Sequence, residues 1–212
     1  MSAATPPLLA GSSHRRLPGS GTRLRLLTAA REVVEEGGYG AASVLAIADR
    51  AGVAAGTLYR HFASKEELFV ELFRAACDRE LDVMRASADG VPAGGSHVDR
   101  LETVLATFAS RALARPRLTW ALLAEPVDPL VDAERLAYRA RYASLVADTL
   151  RRAIEAGELP NQDVELTAAA LVGGCGEALV GPISPLSGAE PSPERVVAAI
   201  RTFVRGAVGG RR

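Results

Sequence analysis

Apolar residues recur at helical spacing almost from end to end of this chain. Leu26, Leu27, Ala30, Val33 and Val34 form one broad stripe, which predicts a helix over about 22–36. Gly37-Gly38 stops it. Val44, Ile47, Ala48 and Ala51 repeat the pattern over a shorter stretch, with Ser43 where an N-cap belongs. Gly52 follows, the residue type that accepts positive φ just past a helix end. Val53 re-enters the core, and Ala55-Gly56-Thr57-Leu58-Tyr59 reads as one more short helical stretch. Two short helices joined by a glycine-containing turn make the helix-turn-helix pattern, whose second helix can enter a DNA major groove.

The pattern continues without a strand. Ser64-Lys65-Glu66-Glu67 is a capping box that opens a longer helix to about Ser87, with Leu68, Phe69, Leu72, Phe73, Ala76 and Leu81 inward. GVPAGGS at 90–96 is a break. Residues 98–114 carry Leu101, Val104, Leu105 and Phe108, and Pro116 starts a short helix with Leu118, Trp120 and Leu122 that ends near Pro126. A long helix follows from about Val131 to Ala156, closed by Gly157, and another spans 163–181. The turn-rich loop PISPLSGAEPSP at 182–193 leads to a last helix, 194–208, with Val196, Val197, Ile200, Phe203 and Val204 on one face. The expected fold is all-α, about nine helices, with no internal repeat.

Composition narrows the function classes. The chain has 212 residues, 48% of them hydrophobic, enough for one large or two small domains. No apolar run reaches the roughly 18 residues of a membrane span, and the opening MSAATPPLLAGSSHRRLPGSG lacks the design of a secretory signal. A cytoplasmic protein with no membrane partner is expected. Cys77 and Cys175 are far apart, and His14, His61 and His97 are scattered. That spacing suits buried thiols rather than a metal site, and no catalytic or phosphate-binding motif appears. No cofactor is expected, and no enzymatic activity. The net charge of zero hides an asymmetry: residues 1–65 hold eight Arg or Lys against four Asp or Glu, and the remainder holds seventeen against twenty-one. A basic first third fits one module that faces nucleic acid. Lys65 is the only lysine.

The string GVAAGTLYRHFASKEEL, preceded by EEGGYGAASVLAIA, closely resembles the DNA-binding domain of TetR-type transcriptional repressors over about residues 22–70. The resemblance implies that Tyr59, His61 and Lys65 contact phosphates of a double-stranded DNA operator, with Ser43 and Thr57 adding hydroxyl bonds. Base readout departs from the family habit. Ala54-Ala55-Gly56 opens the recognition helix where relatives often carry polar side chains, and Leu45 stands where they often place an arginine. Leu45 and Ala55 can pack on thymine methyls but make no bidentate purine contact; Gly56 offers no side chain, and Arg60 is the one long donor. The tail over 1–20, with His14-Arg15-Arg16, is a candidate arm.

The resemblance also implies what the rest does: residues 21–66 bind DNA, and residues 67–212 bind a small-molecule effector and form a homodimer. In helix 163–181 one face is apolar and a second carries Ala170, Gly173 and Glu177, small enough for a partner helix to approach. The long helix 131–156 has two apolar faces: Leu136, Ala140, Ala143, Val146, Leu150 and Ile154 on one, Tyr138, Tyr142, Leu145 and Thr149 on the other. The tyrosine face, with Phe108 and Trp120, suits the wall of an apolar-ligand cavity. Cys175 completes the candidate ligand residues. The expected function is a dimeric repressor released from DNA by a small apolar or aromatic ligand. Two alternatives stay open at this point: an all-helical carrier or enzyme without specific DNA binding, and a ligand-independent DNA-binding regulator.

Overall fold

A computed structural model describes residues 20–92, 94–186 and 192–209. Among them the chain forms nine helices and no strand: α1 Ser20–Ala41, α2 Val44–Arg50, α3 Ala55–Leu58, α4 Lys65–Asp89, α5 His97–Ala114, α6 Pro116–Leu123, α7 Pro129–Glu155, α8 Val164–Ile183 and α9 Pro193–Ala207. Most starts are fixed by side chains that satisfy amides no intrahelical carbonyl can reach. Ser43 Oγ accepts from the Ala46 amide at 3.1 Å, and Ser64 Oγ from that of Glu67 at 3.1 Å. Ser96 and Asp99 form a full capping box on α5. Asp128, Asp163 and Ser192 cap α7, α8 and α9. The box expected at Ser64 is displaced by one residue, since Glu67 accepts from the amide of Ala63.

Two apolar clusters hold the helices together. The first joins Leu26 and Val34 of α1, Ile47 of α2, Leu58 of α3, Phe62, Phe69 and Phe73, Leu118 of α6, and Val131 and Tyr138 of α7. The second joins Leu101 and Leu105 of α5, Val146 and Leu150 of α7, Leu171 and Cys175 of α8, and Ile200 and Val204 of α9. α4 runs from the first cluster, with Leu81, to Met84, fully buried one turn on, and packs against α5. Buried Glu102 of α5 is paired with Arg205 of α9.

Three expectations need correction. The first helix does not end at Gly37-Gly38: helical assignment runs to Ala41 through a kink at Gly38, where φ is 79° and ψ −179°. On α7, Leu136 and Ala140 face outward, Leu136 with 67% of its surface exposed. Two apolar faces on one helix do not guarantee two covered faces. Finally, α8 is long and apolar enough, by length and composition, to cross a membrane, with mean hydropathy 1.5 and only 28% of that stretch buried. The tail expectation at 1–19, including His14-Arg15-Arg16, and the centre of the 182–193 loop lie outside the described residues.

Candidate nucleic-acid interface

The helix-turn-helix is assembled by short, local bonds. Gly52, at φ 64°, turns the chain out of α2, and the Val53 amide donates to Ala48 O at 3.0 Å. The Thr57 amide closes α3 on Ala54 O at 2.8 Å, and the amides of His61 and Phe62 both donate to Leu58 O at 2.9 Å. Leu58 is the residue of α3 that enters the core. Gly56, Tyr59 and Arg60 therefore face out, with His61, Thr57 and Ala55 half-buried. A side chain at Gly56 would meet open space, so a groove wall can come close to the backbone there. Leu45 is 72% exposed, a large apolar side chain left mostly in solvent. Ser43 is exposed, but its hydroxyl accepts the cap bond; it retains a proton to donate.

Charges around this face are sorted into paired and presented. Arg50, at the end of α2, is bound bidentately by Glu36 at 2.8 and 2.7 Å, and the two carboxylate contacts hold its guanidinium fully protonated. Arg23 pairs with Glu71 and lies 4.6 Å over the Phe62 ring. Arg60, expected on the recognition helix, is exposed in the turn just past it, because α3 ends at Leu58 with Tyr59 as its C-cap. The Lys65 ammonium lies 4.2 Å over the Tyr39 ring, which itself packs edge-on against Phe69 at 4.4 Å. Lysine in the first turn of α4 opposes the helix dipole, so helix stability does not account for its placement.

The residues expected to line a ligand cavity do not all meet. Phe108 and Tyr142 pack together at 5.8 Å, while Tyr138 packs on Phe73 at 5.6 Å in the first cluster. Trp120 is half-buried on α6, and Cys175 is buried in the second cluster. Both tyrosine hydroxyls are turned to α4: Tyr138 donates to Asp78 at 2.8 Å, and Tyr142 to the carbonyl of Cys77 at 3.4 Å. Burial, then Asp78, pushes the Tyr138 phenol up to about 12, and burial lifts Tyr142 above its ordinary range. Burial likewise pushes the Cys77 thiol up to about 12 and that of Cys175 to about 11, so both stay protonated and inert at neutral pH. A surface cleft lined by Ser96, Val98, Glu158, Leu159, Pro160 and Arg205 contains none of these five residues.

Sequence reasoning missed Glu125, just past the end of α6. Its carboxylate accepts from the amide of Tyr39 at 3.0 Å and that of Gly40 at 3.4 Å. One signal was available: the Gly37-Gly38 pair marks a break in the helix, and a break leaves the next amides in need of a partner. Nothing nearby in the sequence names that partner.

Comparison with known proteins gives two family matches along the chain. Residues 26–72 match the model of bacterial regulatory proteins of the tetR family, and residues 106–207 that of the AefR-like transcriptional repressor C-terminal domain. The HTH-type transcriptional regulator UidR of Escherichia coli strain K12 is 30% identical over 153 residues, 71% of this chain and 76% of that protein. The HTH-type transcriptional repressor KstR of Mycobacterium tuberculosis is 36% identical over 143 residues, 66% of this chain and 61% of that one. The fold is shared with the fatty acid degradation regulator FadR from Bacillus halodurans, at TM-score 0.76 and 21% identity over 92% of this chain and 100% of that one. It is shared too with FadR from Bacillus subtilis in complex with stearoyl-CoA, at TM-score 0.71 and 22% identity over 89% and 99%.

Proposed function

The chain belongs to the TetR family of bacterial regulatory proteins, and on that premise we propose that it works as a homodimeric repressor, released from a double-stranded operator by a small apolar or aromatic effector. Its relatives are transcriptional regulators, not enzymes, so the helix-turn-helix is its working end. Residues 21–66 carry DNA binding, and residues 67–212 carry effector binding and dimerisation. It acts in the cytoplasm, where its operator lies. The observation that carries this reading is the exposed surface of the recognition unit, with Gly56 on α3, Tyr59 at its C-cap and Arg60 in the turn after it, and Leu45 exposed on α2.

Each group of this unit that the resemblance singles out has a task on DNA. Tyr59, His61 and Lys65 hold phosphates, with Ser43 and Thr57 as hydroxyl donors. Arg60 reaches a base edge, while Leu45 and Ala55 pack on thymine methyls. On the effector side, the Phe108–Tyr142 pair is the proposed nucleus of the pocket; Trp120, with Tyr138 of the first cluster and Cys175 of the second, would join it when an effector opens space between the clusters. Support for an apolar effector comes from the neighbouring fold of FadR from Bacillus subtilis, solved with stearoyl-CoA. Because both tyrosine hydroxyls bond to α4, an effector that displaces them shifts the helix leading directly from the recognition unit. The coupling is reciprocal, so DNA weakens the effector as much as the effector weakens DNA.

The test is retention of a duplex selected from a random library, followed by challenge with a panel of acyl thioesters and aromatic acids. Release by one of them supports the whole reading. A thermal shift with a compound but no retained duplex favours the carrier alternative, and a retained duplex that nothing releases favours the ligand-independent one. Within the DNA-bound reading, Lys65→Ala is expected to weaken binding about equally for all duplexes. It should also reduce the slope of log affinity against log salt by roughly one. A salt slope equal to wild type in a folded variant removes Lys65 from the phosphate contacts.

A further inference from the structure

We propose that Glu125 is a positioning residue for DNA binding, holding the Lys65 ammonium in place through the backbone and ring of Tyr39. The inference rests on the reading of Lys65 as a phosphate contact. It starts from the kink in α1. Gly38 adopts φ 79° and ψ −179°, a conformation essentially confined to glycine. The kink separates the body of α1 from its last turn at 39–41. The amides of Tyr39 and Gly40 both donate to Glu125, some 85 residues away in sequence. A carboxylate taking two backbone amides is a charge-assisted clamp, about twice as strong as a neutral hydrogen bond.

Glu125 is itself held. Its amide donates to Trp120 O at 2.8 Å. The Arg135 guanidinium of α7, largely buried, donates to the carbonyls of Ala121 at 3.0 Å, Leu122 at 2.9 Å and Glu125 at 2.7 Å. One arginine thus ties the free carbonyls at the end of α6 to α7 and fixes the clamp in space. On the other side the clamp fixes Tyr39, whose ring is wedged between Phe69 and the Lys65 ammonium. The ring face is the seat of that cation. Its height and tilt follow the Tyr39 backbone, which Glu125 holds. Three elements distant in sequence therefore set where the only lysine points, and that lysine starts the helix immediately after the recognition unit.

The full-length chain and a duplex selected from a random library by the wild type supply the test. Affinity is measured across a salt series for Glu125→Ala, Glu125→Gln, Lys65→Ala and the double variant Glu125→Ala with Lys65→Ala. Glu125→Ala is expected to weaken binding about 5–20-fold and lower the salt slope as Lys65→Ala does. Glu125→Gln, which keeps one acceptor, falls between it and wild type. The double variant is no weaker than the more affected single variant, because both changes act on one contact. Amide hydrogen exchange should speed up at Tyr39 and Gly40 while protection in α2 and the centre of α4 holds. Fold-changes that multiply in the double variant, or an unchanged salt slope in Glu125→Ala, overturn the proposal. So does loss of protection across α2 and α4, which makes Glu125 a general stabiliser. A wild-type chain that selects no duplex overturns the phosphate-contact reading and this one with it.

Discussion

Gly173→Trp is expected to leave the protomer folded and to break the dimer, with operator affinity falling about 10²–10⁴-fold. In the protomer a side chain at Gly173 meets nothing within 4 Å. The indole therefore costs the fold little, and replacing glycine inside a helix raises local helix propensity. Gly173 belongs to an exposed stripe on α8 that runs Leu166, Ala170, Gly173, Glu177, with Leu166 68% exposed. Beside it Phe203 of α9 is 46% exposed and lies across Gly174, where a Cβ would come within 3.1 Å of its ring. Such an apolar, small-residue surface is what a second copy covers in a two-fold helical interface. A dimer formed there would also account for the membrane-like composition of α8, which would then be apolar on the side facing its protomer and on the side facing a partner. The magnitude comes from linkage, since two half-sites bound by one dimer gain an effective-concentration term that separated protomers lose. Light scattering and operator titration on the same sample check it. A Gly173→Trp dimer with wild-type affinity places the interface elsewhere.

Phe62→Ala is expected to have the largest effect on stability. The ring is 1% exposed, in the first cluster, between the recognition helix and the start of α4. Its amide is bonded to Leu58 O, and the Arg23 guanidinium covers its face. Truncation removes the buried ring, leaves a cavity and strips Arg23 of its aromatic seat. Phe→Ala changes in cores cost about 3–5 kcal/mol, with a smaller share from the lost cation–π contact. The second cluster does not include Phe62. Hydrogen exchange should therefore show α1 to α3 losing protection first, with α8 and α9 spared and DNA binding gone. Equal loss across both clusters contradicts this division of the core.

The sequence made the recognition unit legible because everything that builds it is local. Ser43, Gly52 and the 43–59 spacing act over a few residues, and each is found in the expected place. The start of α7 was readable too: Asp128-Pro129 is a cap followed by a first-turn proline, and it puts the start at Pro129 rather than Val131. What periodicity cannot supply is the identity of the neighbour. Tyr138 and Leu136 are both large apolar residues of one helix, yet one is buried against α4 and the other is exposed. Of the aromatic residues expected to share a cavity, Tyr138 and Tyr142 join the first cluster, Phe108 packs on the second, and Trp120 belongs to neither, for the same reason. The Glu125 clamp was invisible because its partners are backbone amides, which carry no residue signature, at a separation of about 85 residues.

The central claim is that this chain reads DNA as a two-fold dimer through α3, and selection from a random duplex library tests it most directly. The enriched sequences are expected to be inverted repeats, each half-site presenting thymines to Leu45 and Ala55, with half-site centres roughly 34–36 Å apart. Replacing those thymines by uracil, which lacks only the methyl group, should weaken binding. No enrichment over the starting library, or an enriched sequence without two-fold symmetry, contradicts the account.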